Sequence, residues 1–202
     1  MTHSDSELIL ASASAGRAAV LRDAGLAFRQ LPAAVDERAI ETELVAENGL
    51  TFAEGVALRL AKEKALAVSR EHGDALVIGA DQVMARGDRL FHKPADIPAA
   101  RAQLTELRGR EHLLIAGLAI AMRGEVVWHH LETATLEMRA FSDAFLDAYV
   151  AAEGEALLGG IYRIEGRGMQ LFSRVAGDRF TLIGLPRLPL LGSLRGSGWL
   201  QS

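Results

Sequence analysis

No cysteine occurs among the 202 residues. That absence excludes a disulfide scaffold, a thiolate-bound zinc, an iron–sulfur cluster and a cysteine nucleophile. No long hydrophobic run occurs either. The longest apolar stretches, Leu113–Met122 and Leu182–Leu191, are broken by Gly117, Gly184, Pro186, Arg187 and Pro189. Neither meets the roughly 18 apolar residues that a spanning helix needs. Excess positive charge is missing too: 22 basic residues face 26 acidic ones, for a net charge of −4. A general nucleic-acid or membrane-surface binder is therefore not expected, and an anionic substrate would need cations gathered locally. The six histidines show no ligand spacing, and His129 and His130, adjacent in a strand-like segment, point to opposite faces. A histidine-type zinc site is not expected. The polar stretch Met1–Glu7 lacks a basic segment followed by an apolar one, so no signal peptide is expected and the chain reads as soluble and cytoplasmic.

Half of the residues are apolar, which excludes a disordered chain. The length is about 1.3 times a typical domain, and a chain this long buries roughly 70% of its unfolded surface. One domain over 1–202 is expected. Leu8–Ala11 reads as a buried strand, Arg17–Ala24 as a helix stopped at Gly25, and Phe28–Val35 as extended. Phe52–His72 reads as a long helix with an inner stripe of Val56, Leu60, Ala61, Ala65 and Val68. Ala75–Ala80 has strand length and ends at Asp81. A helix over Ala99–Leu107 follows Asp96 and Pro98, and Leu113–Ala121 and Val126–Arg139 read as strands. Ser142 caps a helix to about Ala152, Met169–Val175 is a strand, and Pro186–Leu194 a last helix. The mixture predicts an α/β fold with a mixed, elongated sheet and two lobes around a cleft.

Several places have the residue types that chemistry on an anion needs. Ser12-x-Ser14-x-x-Arg17 follows an apolar strand and opens a helix. Small residues let amides approach a phosphate, and hydroxyls and a guanidinium add donors; an ordinary strand–helix loop with a serine cap explains the same residues. Asp81 directly after a buried strand suits a metal ligand or a base, or equally a turn. Lys64 and Lys93 suit phosphate contacts, though a lone lysine is usually a solvated cation. Asp36 and Glu37, read in an extended segment, are solvated turn residues or donors to a divalent metal. Trp128 and Trp199 read as packing residues.

In order, these motifs resemble the Maf family of nucleotide pyrophosphatases. Leu8–Ala11 with Ser12-x-Ser14-x-x-Arg17, Val35-Asp36-Glu37, Leu60-Ala61-x-x-Lys64-Ala65, Gly79-Ala80-Asp81, Lys93-Pro94, Gly109-Arg110-x-His112, Gly166-x-Gly168 and Gly184-Leu185-Pro186 span about residues 8–195. The resemblance implies a fold related to the inosine-triphosphate pyrophosphatases. It also implies hydrolysis of a nucleoside triphosphate to the monophosphate and pyrophosphate with magnesium or manganese, a house-cleaning role and a possible homodimer. It implies that Asp81 is the proton acceptor and that Ser12, Arg17, Glu37, Lys64 and Lys93 are polar residues of the cleft. The expected mechanism has Asp81 and Glu37 hold the metal, and Ser12, Ser14, Arg17, Lys64 and Lys93 hold substrate.

Gly16, Gln82 and Glu165 fall where branches of that family select the base, and the lysine usual at Leu158 is absent. Gln82 with Glu165 is similar to the branch that prefers 7-methyl-GTP. Methylation at N7 makes guanine cationic, and a carboxylate at Glu165 with no arginine at Gly16 favours such a base. The alternatives are a dTTP/UTP-type enzyme, or an inactive nucleotide-binding protein linked to septum formation.

Overall fold

The computed structural model describes residues 6–44 and 50–201. Most of the stretch 1–7, read above as no signal peptide, lies outside those residues. Strands are β1 Leu8–Leu10, β2 Arg29–Gln30, β3 Leu76–Arg86, β4 Arg89–Phe91, β5 Glu111–Met122, β6 Glu125–Met138 and β7 Phe172–Ala176. Helices are α1 Ala15–Asp23, α2 Glu37–Glu43, α3 Phe52–Glu71, α4 Ile97–Leu107, α5 Asp143–Glu153, α6 Arg179–Ile183 and α7 Arg187–Gly196. The strands form one mixed α/β sheet in the order β2-β1-β3-β5-β6-β7, with β4 on β3. β1 is parallel to β2 and β3, while β3–β4 and β6–β7 are antiparallel. Among the described residues, no helix is long and apolar enough to cross a membrane.

The chain divides into two compact units. The first comprises Met1–Gln82, Ile115–Thr133 and Asp178–Ser202; the second comprises Val83–Leu114 and Ala134–Gly177. In the first unit β1 reads as an unbroken apolar run because both of its faces are covered. Leu8 and Leu10 pack with Leu21, Ile78, Leu190 and Leu194, while Ile9 and Ala11 pack with Val68 and Val77. The predicted inner stripe of α3 is buried throughout. Trp128 and Trp199 pack against the first of these clusters, as expected. The second unit gathers Phe91, Leu104, Leu107, Met138, Phe141, Leu146, Tyr149 and Leu157 around its own core. Each fully buried side chain of this kind contributes roughly 1.5–3 kcal/mol.

Caps explain most helix starts. Ser14, Asp96 and Ser142 accept from the amides of Arg17, Ala99 and Phe145, and Thr51 with Glu54 closes a reciprocal box ahead of α3.

Four expectations need correction. Asp36 and Glu37 are not in an extended segment: Asp36 caps α2 by accepting from Ala39 N at 3.0 Å, and Glu37 is its first residue. Asp81 is not at a strand end, because β3 continues to Arg86 before turning into β4. Of Met169–Val175, the first part is a 3-10 turn, Arg167–Leu171, and the strand begins at Phe172. In Phe28–Val35 only Arg29–Gln30 pairs as a strand.

Candidate active site

The charged centre of the first unit begins with a close approach of backbone. A Cβ at Gly79 would lie 2.1 Å from the carbonyl oxygen of Ala61, and one at Gly117 would lie 2.2 Å from that of Ala57. Only glycine lets α3 lie this near β3 and β5. Gly79 and Asp81, two residues apart on a strand, share the face toward α3. The result is that Lys64 on α3 meets Asp81, with Nζ 2.5 Å from Oδ1. The same ammonium lies 2.6 Å from Oε1 of Glu37, at the start of α2. One cation is thus shared by two carboxylates that are 44 residues apart in sequence (81 − 37).

Asp81 is only 8% exposed. Burial raises its pKa above the usual aspartate value; Lys64 and Arg17 oppose the rise, and Glu37 adds to it. Burial likewise weighs against the charge of Arg17, and Asp81 and Glu37 support it.

Arg17 is a clamp. Its Nη1 donates to Ser12 Oγ at 3.2 Å and to the Ala80 carbonyl at 2.9 Å, and its Nε donates to the Gly184 carbonyl at 3.0 Å. It ties the first loop, β3 and the end of α6 together. Gly184 makes this possible: at φ 85°, it lies so close that a Cβ would meet Arg17 at 3.2 Å and Gln82 at 3.3 Å. Ser14 Oγ accepts from Arg17 N, and Ser12 Oγ accepts from Ser14 N at 3.3 Å. Both hydroxyls therefore act as acceptors inside the protein, which leaves their own protons to donate. Beside them α1 presents first-turn amides, Gly16 included, that no helix can satisfy internally.

Gln82 follows Asp81 and donates from Nε2 to the carbonyls of Thr181 at 2.7 Å and Leu182 at 3.3 Å. Thr181 is fully buried and donates to Glu132 Oε1 at 2.5 Å. The segment around α6 was missed as a site element in the sequence. The signals it offers are Asp178, which caps the helix, and Gly184, which ends it and opens the motif Gly184-Leu185-Pro186.

Of the residues expected at the site, Ser12, Ser14, Gly16, Arg17, Glu37, Lys64, Asp81 and Gln82 belong to the first unit. Lys93 and Glu165 belong to the second. Lys93 is exposed after β4, and Glu165 is exposed on the loop before the 3-10 turn. That loop is anchored by Ile161 and Ile164, both buried, and by Tyr162, whose hydroxyl lies 2.7 Å from His112 Nε2. Leu158 lies in a 3-10 turn, Gly154–Gly159.

Among the described residues, no group of three or more histidine or carboxylate side chains converges as a ready-made cation cage. The two carboxylates sharing Lys64 are hard oxygen donors. They fit an ion that keeps its water and takes other ligands from phosphate, as magnesium does.

The family model for Maf-like proteins matches residues 7–197. A 7-methyl-GTP pyrophosphatase of Rhizobium meliloti (strain 1021) is 50% identical over 197 residues, covering 96% of this chain and 98% of that one. A nucleoside triphosphate pyrophosphatase of Granulibacter bethesdensis is 48% identical over 94% of this chain and 96% of that one. A 7-methyl-GTP pyrophosphatase of Brucella abortus biovar 1 is 44% identical, with 94% and 95% covered.

Proposed function

The chain belongs to the Maf-like protein family, and we propose that it hydrolyses a nucleoside triphosphate to the monophosphate and pyrophosphate, with 7-methyl-GTP preferred. The observation that carries this reading is the half-buried ammonium of Lys64 held between Asp81 and Glu37, in the same unit as a serine-lined helix N-terminus. Two near relatives named for cleavage of 7-methyl-GTP support the choice of base.

In this mechanism the Asp81 carboxylate accepts the proton of the water that attacks the α-phosphorus. Its burial makes it a stronger base than an exposed aspartate. Lys64 keeps the two carboxylates together. The hydroxyls of Ser12 and Ser14 and the amides of the first turn of α1 donate to phosphate oxygens. Arg17 fixes that loop and adds positive potential behind it, and Lys93 adds a cation for the leaving pyrophosphate. A magnesium or manganese ion held by Asp81 and Glu37 would supply neutralisation of phosphate charge. Glu165, exposed and carrying a carboxylate, suits the cationic ring of 7-methylguanine, and glycine at position 16 brings no arginine to repel it. A cytoplasmic homodimer completes the proposal, and light scattering after size exclusion checks the dimer.

The deciding experiment is pyrophosphate release with magnesium or manganese across 7-methyl-GTP, GTP, dTTP and UTP. The expected order puts 7-methyl-GTP first. No release from any nucleotide overturns the activity, and a preference for dTTP or UTP overturns the base assignment.

A further inference from the structure

A second polar chain runs through the first unit beside the charged centre. Gln82 Nε2 donates to two backbone carbonyls, those of Thr181 and Leu182. Carbonyls only accept, so the amide nitrogen must face them, and chemistry fixes the orientation of the amide. Its Oε1 then points away and finds no partner among the described residues. Behind Thr181 stands Glu132, whose Oε1 takes the threonine proton at 2.5 Å and whose Oε2 lies 3.2 Å from His130 Nε2. His130 in turn stacks on Trp128, with ring centroids 5.9 Å apart and planes 8° apart. Residues 128, 130 and 132 alternate along β6 and share one face. The far end of the segment is held by the Gly184 carbonyl on Arg17. The carbonyls that orient Gln82 are thus held at both ends, by a carboxylate and by a guanidinium.

We propose that Glu132 is a positioning residue for base selection: through Thr181 it locks the Gln82 amide with its acceptor outward, so the site takes bases with a ring N–H. This rests on the pyrophosphatase reading above and deepens it. Guanine, hypoxanthine, uracil and thymine carry a ring N–H that donates to Oε1. Adenine and cytosine present an unprotonated ring nitrogen at the corresponding place, and its lone pair would face the lone pairs of Oε1. Without the lock, a glutamine amide can turn and offer its NH2 instead, which suits adenine and erases the discrimination. The carboxylate of Glu132 is well chosen for the task. A hydrogen bond to a charged acceptor is about twice as strong as one between neutral groups, and the buried threonine hydroxyl has no water to turn to.

The test is pyrophosphate release from GTP and from ATP, read as the ratio of the two catalytic efficiencies. The wild-type chain is expected to prefer GTP by about thirtyfold or more, in keeping with a polar contact left unmet by the wrong base. Glu132→Ala is expected to shrink that ratio about tenfold, whereas Glu132→Gln, which still accepts from Thr181, keeps it within about threefold. Gln82→Met, of similar shape but with neither donor nor acceptor, removes the preference. A residue that only supports the fold would lower both nucleotides together and leave the ratio in place. If Glu132→Ala does not fold, Thr181→Val removes the same hydrogen bond with nearly the same volume and is expected to give the same loss. An unchanged ratio in Glu132→Ala or Thr181→Val, or a GTP preference that survives Gln82→Met, overturns the inference. So does a wild-type chain that releases pyrophosphate equally from GTP and ATP. Failure to release pyrophosphate from any nucleotide overturns the functional reading itself, and the inference with it.

Discussion

Asp81 in the first unit and His112 in the second are both buried ionisable groups, 8% and 1% exposed, and the two units handle them in opposite ways. Around Asp81 the structure supplies ions: Lys64 in contact, Arg17 nearby, Glu37 on the same ammonium. Around His112 it supplies rings and a hydroxyl. The Tyr162 hydroxyl is 2.7 Å from Nε2, and the rings of Tyr162 and Phe172 lie 5.7 and 5.9 Å away. Burial alone then pulls the imidazole down to about 4, so it is neutral at pH 7. The difference separates chemistry from support. A buried charge is tolerated only where partners are assembled for it, and that assembly is costly enough to mark a site. A buried group that simply gives up its charge is free to serve as a hydrogen-bonded pillar, here under the loop that carries Glu165.

The largest effect expected from this contrast is on Asp81→Asn. Turnover should fall by at least about a hundredfold, the lower end of what a positioned base contributes. Stability should move the other way. Because burial raises the folded pKa, the ionised carboxylate costs stability, and that cost sets in as pH rises from the unfolded value through the folded one. The near-isosteric amide avoids it, so a thermal melt at pH 7 should show a Tm equal to or above that of the wild type. A folded Asp81→Asn chain with near-normal turnover would remove Asp81 from the chemistry and erase the contrast.

His112 should show the opposite sign. Its folded pKa lies below the ordinary value of 6.5, so the unfolded chain binds more protons between about 6.5 and 4. Stability contributed by the neutral imidazole is present above that window and is lost as pH falls through it, by up to about 3 kcal/mol. Urea midpoints at pH 7, 6 and 5 should fall steadily in the wild type and less in His112→Gln, which keeps a partner for Tyr162. Parallel declines in the two proteins would show that His112 is not the group that titrates.

How far the sequence revealed this contrast depends on how local each signal is. Ser14, Asp96 and Ser142 announce their helices because a cap acts within three residues. The α3 stripe is legible because its period repeats from Val56 to Val68, over more than three turns. Asp36 and Glu37 were misread because a seven-residue helix with no buried residue has no apolar period to detect. Asp81 reads as a strand end because its own charge breaks the apolar run, but β3 goes on by pairing with β4. The Lys64 bridge and the Thr181–Glu132 bond join residues far apart in sequence, and no spacing rule brings such pairs together. Arg17 was recognised as important, yet its clamp on three segments follows only from the fold.

A smaller effect tests whether the charged centre depends on the close approach of α3. Gly79→Ala places a Cβ where the Ala61 carbonyl stands. Overpacking of this kind costs about 1–3 kcal/mol. Because the helix must retreat with Lys64 on it, activity should fall as well. Urea denaturation measures the first effect and pyrophosphate release the second. Lost stability with full activity would show that Lys64 and Asp81 need not touch during turnover.

The smallest effect concerns the carboxylate carried by the second unit. Glu165 is exposed, so its attraction for a cationic base is screened. Two unit charges 4 Å apart interact by about 1 kcal/mol in water and about 4 kcal/mol near a protein surface. A tenfold preference, about 1.4 kcal/mol, lies between those limits. Glu165→Gln keeps the shape and the hydrogen-bonding reach of the side chain and removes only its charge. The ratio of catalytic efficiencies for 7-methyl-GTP over GTP should therefore shrink about tenfold, and it should shrink less in high salt, where the wild-type advantage is already reduced. The control is built into the pair of substrates, since both carry the same triphosphate and differ by one methyl group and its charge. An equal change for both nucleotides would make Glu165 a support for its loop, as His112 and Tyr162 are. The second unit would then contribute architecture alone, and recognition of the base would fall to Gln82 in the first.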